Sequence, residues 1–565
     1  MSEHFWKDKY PEGIPSDIDI EHYRSILDVL EESRQKFAHK PAFSNLGKTI
    51  TYGELYELSG RFAAWLQNET DLQPGDRIAV QMPNLIQFPV AVFGALRAGL
   101  IVVNTNPLYT EREMEHQFND SGAKALVILA NMAHMAEKVV PRTGIRHVVV
   151  TQVGDMLPLP KRILVNSVVR YVKKMVPSWS IPGALGFNEV LSAGSRHTVK
   201  DHTCDSQDVA ILQYTGGTTG VAKGAMLTHH NILANMMQAK VLMAHNLVDG
   251  QELMVAPLPL YHIYSFTFHC MIGMTTGQHN LLITNPRDLP AFVKELQKVR
   301  FSVFVGLNTL FVGLMKNPDF LQLDFKSLKL TLSGGMALQS DTANRWQEIT
   351  GCEINEGYGM TEASPVVTVN PLGANKVGTI GMPLPSTELK LIDENGVDLP
   401  FGEVGELCVR GPQVMKGYWE RPDETANTLT EDGWLKTGDI ATIMEDGYVK
   451  IVDRKKDMIV VSGFNVYPNE LEDVLSAHPD IVQCAAIGVS NSKTGESIKM
   501  FAVSSNPELT QEAVIAFIRA SVTGYKVPRQ IEFRDELPVT NVGKILRREL
   551  RDEELAKLKQ AKAAE

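Results

Sequence analysis

The sequence predicts an α/β protein, with a large multi-sheet N-terminal body followed by a smaller α+β C-terminal domain. Between Thr51 and Thr151, helix-patterned segments (Thr51–Gln67, Leu85–Gly99) alternate with β-rich runs (Arg77–Met82, Ile101–Asn104, Ala123–Leu129, His147–Thr151). Such alternation is the pattern of a largely parallel sheet. Further β-rich runs at Val209–Tyr214, Val303–Leu307 and Leu328–Leu332, each followed by a Gly- or Thr-rich turn, extend it through the body. Near residue 453 the pattern changes: a charged tetrad, Asp453-Arg454-Lys455-Lys456, precedes a β-rich run, Met458–Ser462, and then a smaller mixed segment. A charge cluster is ordinarily a solvated surface loop; here it also falls where one domain can hinge on another. The expected division is a body at 1–452, a hinge at 453–456 and a C-terminal domain at 457–565.

At 565 residues and 62.6 kDa the chain is too long for one core, which makes two or three domains the natural expectation. With 44% hydrophobic and 21% charged residues it has the composition of a globular protein. The 66 acidic against 55 basic side chains leave a formal charge of -11, so no overall basic field points to nucleic acid, and any anion site must be local. Five scattered cysteines (Cys204, Cys270, Cys352, Cys408, Cys484) form no C-x-x-C pair and suggest neither a disulfide framework nor a zinc site. Charged and aromatic residues alternate from Met1 to Gly13 without the apolar stretch of a secretory signal, and runs such as Phe88–Leu96 are cut by Arg97. A cytoplasmic protein that does not cross a membrane is expected.

The stretch richest in chemistry is Tyr214–Gly224, YTGGTTGVAKG, after the apolar run Val209–Leu212. Glycines let backbone N–H groups approach oxyanions, hydroxyls add donors and a lysine adds charge, so a strand followed by this loop suits a polyphosphate. It is not a Walker A loop, because Lys223 is followed by Gly224 rather than Ser or Thr.

This loop resembles the phosphate loop of the adenylate-forming superfamily, which includes acyl-CoA synthetases, firefly-type luciferases and peptide-synthetase adenylation domains. Further motifs follow in the order of that superfamily across nearly the whole chain. Leu332–Leu338 (LSGGMAL) resembles the segment along the adenine, and Asn355–Glu362 (NEGYGMTE) the block whose aromatic ring stacks on it. The resemblance implies nucleotide contacts by Thr215, Gly216, Gly217, Thr218, Thr219, Gly220 and Lys223 in the loop. It implies further contacts by Gly334, Gly335, Glu356, Gly357, Tyr358 and Gly359. Thr361 would touch the α-phosphate, and Glu362, with Thr215, would hold Mg²⁺. Asp439 of Thr437–Asp439 and Arg454 resemble the pair that grips the ribose hydroxyls. Pro538–Lys544 (PVTNVGK) resembles the loop supplying the adenylation lysine, here Lys544.

Within the superfamily, Asp432–Ala441 (DGWLKTGDIA) and Tyr448–Lys456 (YVKIVDRKK) are similar to the fatty acyl-CoA synthetase signature. Luciferase and coumarate-ligase branches more often carry leucine where Lys455 stands, and Ser462–Pro468 (SGFNVYP) resembles bacterial long-chain fatty acid ligases. The implied activity is ATP-dependent conversion of a medium- to long-chain fatty acid to an acyl-adenylate. Transfer to coenzyme A would then give acyl-CoA, AMP and pyrophosphate, for fatty acid degradation or lipid synthesis. A mobile C-terminal domain would swing about Lys456 between the half-reactions, with Ser462 and Gly463 beside the CoA channel. His262, in Pro259–Tyr264 (PLYHIY), either sits near the substrate carboxylate or is a satisfied core histidine. The apolar run Phe301–Met315 is core, part of which could line an acyl tunnel.

Competing readings are an aryl-CoA ligase, a ligase loading a carrier protein and, less in keeping with intact Glu362, Asp439, Arg454 and Lys544, a non-catalytic binding protein. A homodimer is left open. One segment lies outside the superfamily motifs: residues 161–176 (KRILVNSVVRYVKKMV) carry five bases and no acid. As a helix it places Leu164, Val168, Val172 and Met175 opposite Arg162, Asn166, Arg170 and Lys173, the layout of a peripheral contact with an anionic membrane. The alternative is a surface helix packed on the body.

Overall fold

The computed structural model describes residues 6–215, 222–243, 247–462, 464–491, 494–540 and 545–564. Gly216, Gly217, Thr218, Thr219, Gly220, Gly463 and Lys544 lie outside them.

The predicted alternation forms where expected. The first long helix, Tyr52–Glu69, starts at a capping box: Thr51 Oγ1 accepts from Glu54 N at 3.1 Å, and the Glu54 carboxylate accepts from Thr51 N at 2.8 Å. The second, Gln87–Arg97, is buried along its whole length. Arg97 does not break the apolar run by reaching solvent. Its guanidinium lies inside, paired with Asp201 and donating to Tyr56 O at 2.6 Å and Ser59 Oγ at 3.2 Å, which satisfies the charge where it is buried.

Among the described residues the strands form four sheets. One runs in the spatial order Leu185–Gly186, His147–Thr151, Ala123–Leu129, Arg77–Gln81, Ile101–Asn104, Val209–Thr215, Lys223–Thr228. It is parallel except for its last pair, an antiparallel hairpin in which Thr215 faces Lys223 across the strands. A larger sheet has a parallel centre of Leu253–Ala256, His279–Leu282, Val303–Gly306, Leu330–Ser333 and Ile354–Gly359, with antiparallel strands Val366–Val369 and Met382–Pro383 at one edge. The third is an antiparallel four-stranded sheet ending in Leu435–Ile443 and Val449–Arg454.

The fourth sheet is built from Ile459–Val461, Phe464–Val466, Ile481–Asn491, Gly495–Ser504 and Gln530–Phe533. Its own core, from Ile459 to Ile531, packs the helices Pro468–Ser476 and Gln511–Arg519 against the sheet. The α/β body and smaller α+β C-terminal part are therefore present. Open parallel sheets offer their binding crevices at the carboxyl ends of the strands, and the segments after Ser333 and Gly359 lie at two such ends.

Candidate active site

Two adjacent strands of the larger sheet carry most of the motif residues. After Leu330–Ser333 the chain turns through Gly334 and Gly335, and Gly335 takes a φ of +81°, which L side chains avoid. Ile354–Gly359 ends where Val366–Val369 crosses back. A Cβ at Gly359 would stand 2.1 Å from Pro365 O, so only glycine lets the chains meet there. These turns, with the segment after Leu260, enclose a narrow cavity lined by His262, Gly334, Gly335, Gly357, Tyr358, Gly359 and Thr361. His262 Nδ1 accepts from Tyr264 N at 3.3 Å, which leaves Nε2 as the protonated ring nitrogen of the neutral tautomer.

Tyr358 connects this cavity to the four-stranded sheet by donating from its hydroxyl to Asp439 Oδ2 at 2.5 Å. Strand pairing sets Asp439 opposite Arg454, whose Nε lies 3.3 Å from Asp439 Oδ1. Burial and the neighbouring Asp439 raise the Tyr358 hydroxyl well above the usual tyrosine range, so it remains a donor.

Glu356 is in the same strand but turns the other way: its carboxylate accepts from Leu338 N at 2.9 Å, away from the residues lining the cavity. Burial pushes this carboxyl up to about 8. The folded state therefore holds the proton more tightly than the unfolded chain. Stability from this group is full below the unfolded carboxyl value and is lost as pH rises towards about 8. Glu356→Gln is expected to raise the melting temperature at pH 8 and to leave it nearly unchanged at pH 4, as read by thermal denaturation.

A second group forms around Tyr418, which sequence reasoning missed. Its hydroxyl donates to Glu362 Oε1 at 2.7 Å, and Lys223 Nζ lies 5.3 Å from the centre of its ring. Lys223 also pairs with Glu424. Backbone bonds from Met226 N to Gly417 O and from Trp419 N to Gly224 O, each 2.8 Å, seat the 416–419 segment along the hairpin strand that follows the glycine loop. Tyr418 thus bridges the hairpin that carries the glycine loop and Glu362. The signal was weak: a glycine before two aromatics is common in turns.

Among the described residues no three His, Cys, Asp or Glu side chains cluster as a metal site. Mg²⁺ does not require one, since it is usually held by one or two carboxylates with substrate phosphates and water. Glu362, buried and fixed by Tyr418, is a suitable hard oxygen donor, with the Thr215 hydroxyl at the end of its strand.

The residues expected at the hinge form a turn between two anchored ends. Lys455 Nζ reaches Glu406 Oε2 at 2.9 Å, while Asp453 Oδ2 accepts from Asn469 N at 2.8 Å. Burial raises the Asp453 carboxyl to about 6. Lys456 is exposed along its side chain, yet partial desolvation of its amine, with Arg454 nearby, lowers it below the usual lysine range. Beyond the turn, Asp457 is held by Arg551 Nη1 at 2.7 Å and lies 3.7 Å from Arg547 Nη1. Ser462 is exposed with φ +53°, its N–H donating to Thr494 O at 2.8 Å.

Residues 30–419 match the family described as AMP-binding enzyme, and residues 470–544 match the AMP-binding enzyme C-terminal domain. The chain belongs to the AMP-binding enzyme family. Among curated members it is 52% identical over 554 residues to a long-chain-fatty-acid–CoA ligase of Escherichia coli O6:H1, covering 98% of this chain and 99% of that protein. A long-chain-fatty-acid–CoA ligase of Haemophilus influenzae is 51% identical over 558 residues, 98% and 99% of the two chains. Among solved structures, the anthranilate CoA ligase AuaEII in complex with anthranoyl-AMP superposes with a TM-score of 0.83 at 25% identity, covering 95% and 98%. As a member of this family, the chain has the two-part AMP-binding architecture that its sheets display.

Proposed function

We propose that this protein is an ATP-dependent long-chain fatty acid–CoA ligase. The observation that carries the substrate class is a second cavity beside the first. The two share Phe268 and Leu332, and the second is lined mainly by Met254, Ile272, Val303, Leu330 and those two residues, with Lys240, Asp249 and Gln278 among its polar members. Mostly apolar walls continue from the first cavity into the second and suit an acyl chain whose carboxylate stays near His262 and Thr361. Of the apolar run at 301–315, this chamber uses only Val303; Phe301, Phe304, Phe311, Leu314 and Met315 pack as core with Trp346, and Val305 and Leu307 in the main core of the body. The near-full-length likeness to long-chain-fatty-acid–CoA ligases supports the same reading.

In this reading the carboxylate attacks the α-phosphorus of ATP and pyrophosphate leaves. The acyl-adenylate then has AMP as its leaving group, and the CoA thiol attacks its acyl carbon. Asp439 and Arg454 hold the ribose, the Tyr358 ring faces the adenine, and Thr361, Lys223 and the Thr215–Gly220 loop hold the phosphates. Mg²⁺ at Glu362 and Thr215 would offset charge on the phosphoryl oxygens. His262 Nε2 donates to the incoming carboxylate and holds it in line. Lys544 serves adenylation, while Ser462 and Gly463 flank the pantetheine path after rotation about Lys456. The boundaries 1–452, 453–456 and 457–565 belong to the same proposal.

Pyrophosphate release with saturated acids of graded length, with and without CoA, tests this function against the aryl-CoA reading that the AuaEII likeness keeps open. Long-chain acids are expected to be preferred over anthranilate and benzoate; the reverse order overturns the assignment.

Two substitutions probe the parts. Ile272→Trp should block the chamber. If four methylenes can no longer be buried at about 0.8 kcal/mol each, kcat/KM for a C16 acid falls on the order of a hundredfold, with little change for C8. Tyr418→Phe removes a hydrogen bond to a charged carboxylate, and the Mg²⁺ concentration giving half-maximal rate should rise by about tenfold. An unchanged Mg²⁺ dependence in that variant would remove Tyr418 from the metal's surroundings.

A further inference from the structure

The segment 159–175 has most of its large apolar side chains exposed, with Val165, Val168 and Val169 half-buried. Its helix, Leu159–Ser167, and the π-helical turn that continues it, Val168–Val172, contain no buried residue. Among the described residues, six of the seventeen exposed large hydrophobic side chains fall here: Leu159, Ile163, Leu164, Tyr171, Val172 and Met175, with Tyr171 70% and Val172 74% exposed. The surface helix of a globular protein normally turns its apolar stripe towards the core. This one is attached by polar groups instead. Asn166 Oδ1 accepts from Gly154 N at 2.8 Å, Asn166 Nδ2 donates to Asp155 Oδ1 at 3.1 Å, and Lys161 Nζ donates to Leu46 O at 2.7 Å.

The sequence pattern placed residues 161–176 on one regular helix. The structure widens it into a π turn at Val168 and ends it with Lys174 at φ +53°, so the two sides are not the straight stripes expected. Leu164, Val172 and Met175 are nevertheless exposed, and Asn166, from the opposite side, holds the body. Around the apolar side chains stand Lys161, Arg170, Lys173 and Lys174, all exposed, with Arg162 half-buried and no acid between residues 161 and 176. This local charge of +5 sits on a chain whose formal net charge is -11.

We propose that residues 159–175 are a docking surface for an anionic phospholipid bilayer, with the helix and π turn lying in the plane of the interface. Exposed apolar side chains interspersed with exposed bases match both components of such a surface, the acyl boundary and the phosphate layer. The element is nine helical residues followed by one wide turn, and among the described residues no helix is long and apolar enough to cross a membrane. It therefore lies on the bilayer rather than spanning it. This inference does not depend on the fatty acid assignment, because vesicle binding is read without turnover.

The test is sedimentation of the full-length protein with vesicles of phosphatidylcholine alone or mixed with phosphatidylglycerol. Binding is expected only to the anionic vesicles at low salt, and it should fall at about 0.5 M salt, where charges are screened within a few ångströms. Arg170→Glu/Lys173→Glu/Lys174→Glu should weaken binding at least about tenfold, and Leu164→Ser/Val172→Ser should also weaken it. Both variants should keep wild-type pyrophosphate release with octanoate, since none of these residues lines the catalytic cavity. A polarity-sensitive fluorophore on Val172→Cys gives a second readout if a multiple variant folds poorly; its emission should shift to the blue with anionic vesicles alone. Failure of the wild type to bind anionic vesicles, or undiminished binding by the charge-reversed variant, overturns the proposal. Loss with the charge reversal but none with the serine variant overturns it too, because adsorption would then be electrostatic without insertion of the apolar face.

Discussion

Lys544→Ala is expected to slow acyl-adenylate formation by about 10²–10³-fold, the usual cost of removing one preorganised transition-state donor. Transfer from supplied acyl-adenylate to CoA should stay within a few-fold of the wild type. The two half-reactions are separated by measuring pyrophosphate release with palmitate and ATP in one assay, and thioester formation from palmitoyl-AMP and CoA in the other. In the first step negative charge grows on the phosphoryl oxygens as the carboxylate attacks, so a lysine there lowers the barrier. In the second the phosphate is already esterified and leaves as AMP. Lys544 is three residues before Arg547, which donates from Nη2 to Asn469 Oδ1 at 2.7 Å and is paired with Glu472. This binds the following chain to the C-terminal part, so the lysine would travel with that domain. Equal loss in both assays would show that Lys544 acts in both steps or in folding, and would remove the case for an alternating domain.

The opposite pattern is expected for Lys456→Pro: adenylation near normal and thioester formation reduced by 10-fold or more, about 1.4 kcal/mol or above on that barrier. Proline fixes φ near -65° and removes an N–H donor. The backbone bonds of this turn run from Lys455 N to Gly438 O and from Asp457 N and Met458 N to Arg454 O. They leave the Lys456 N–H outside the turn's hydrogen bonding, so the substitution constrains rotation more than it disturbs folding. The same two assays read it, with thermal denaturation as the folding check. Normal thioester formation from palmitoyl-AMP would place the pivot elsewhere.

Much of this was legible in the sequence because backbone chemistry is local. The strands Ile101–Asn104, Ala123–Leu129 and His147–Thr151 form with the boundaries their β-rich composition predicted. The helix after Thr51 starts where a Thr and a Glu three residues later can cap each other. Gly359 was visible within a motif, but its reason, the approach of Pro365 O, needs a strand folding back on it. Tyr418 and Glu424 were not legible, since they reach Glu362 and Lys223 across separations of 56 and 201 residues, and neither stands in a distinctive local pattern. The same limit hid the inward turn of Glu356 and the buried pairing of Arg97 with Asp201. The proposed acyl chamber was only partly foreseen because it gathers residues from three strands and a π-helical turn, of which the 301–315 run supplies Val303.

The most direct test of fatty acid activation through an adenylate is a single turnover with enzyme in excess over ATP labelled at the α-phosphate. Palmitate is supplied and CoA is withheld, then added. The expected result is one palmitoyl-AMP and one pyrophosphate per ATP consumed, followed on CoA addition by conversion of the adenylate to palmitoyl-CoA and labelled AMP. Release of ADP and phosphate, or adenylate formation with anthranilate but not with palmitate, would contradict it.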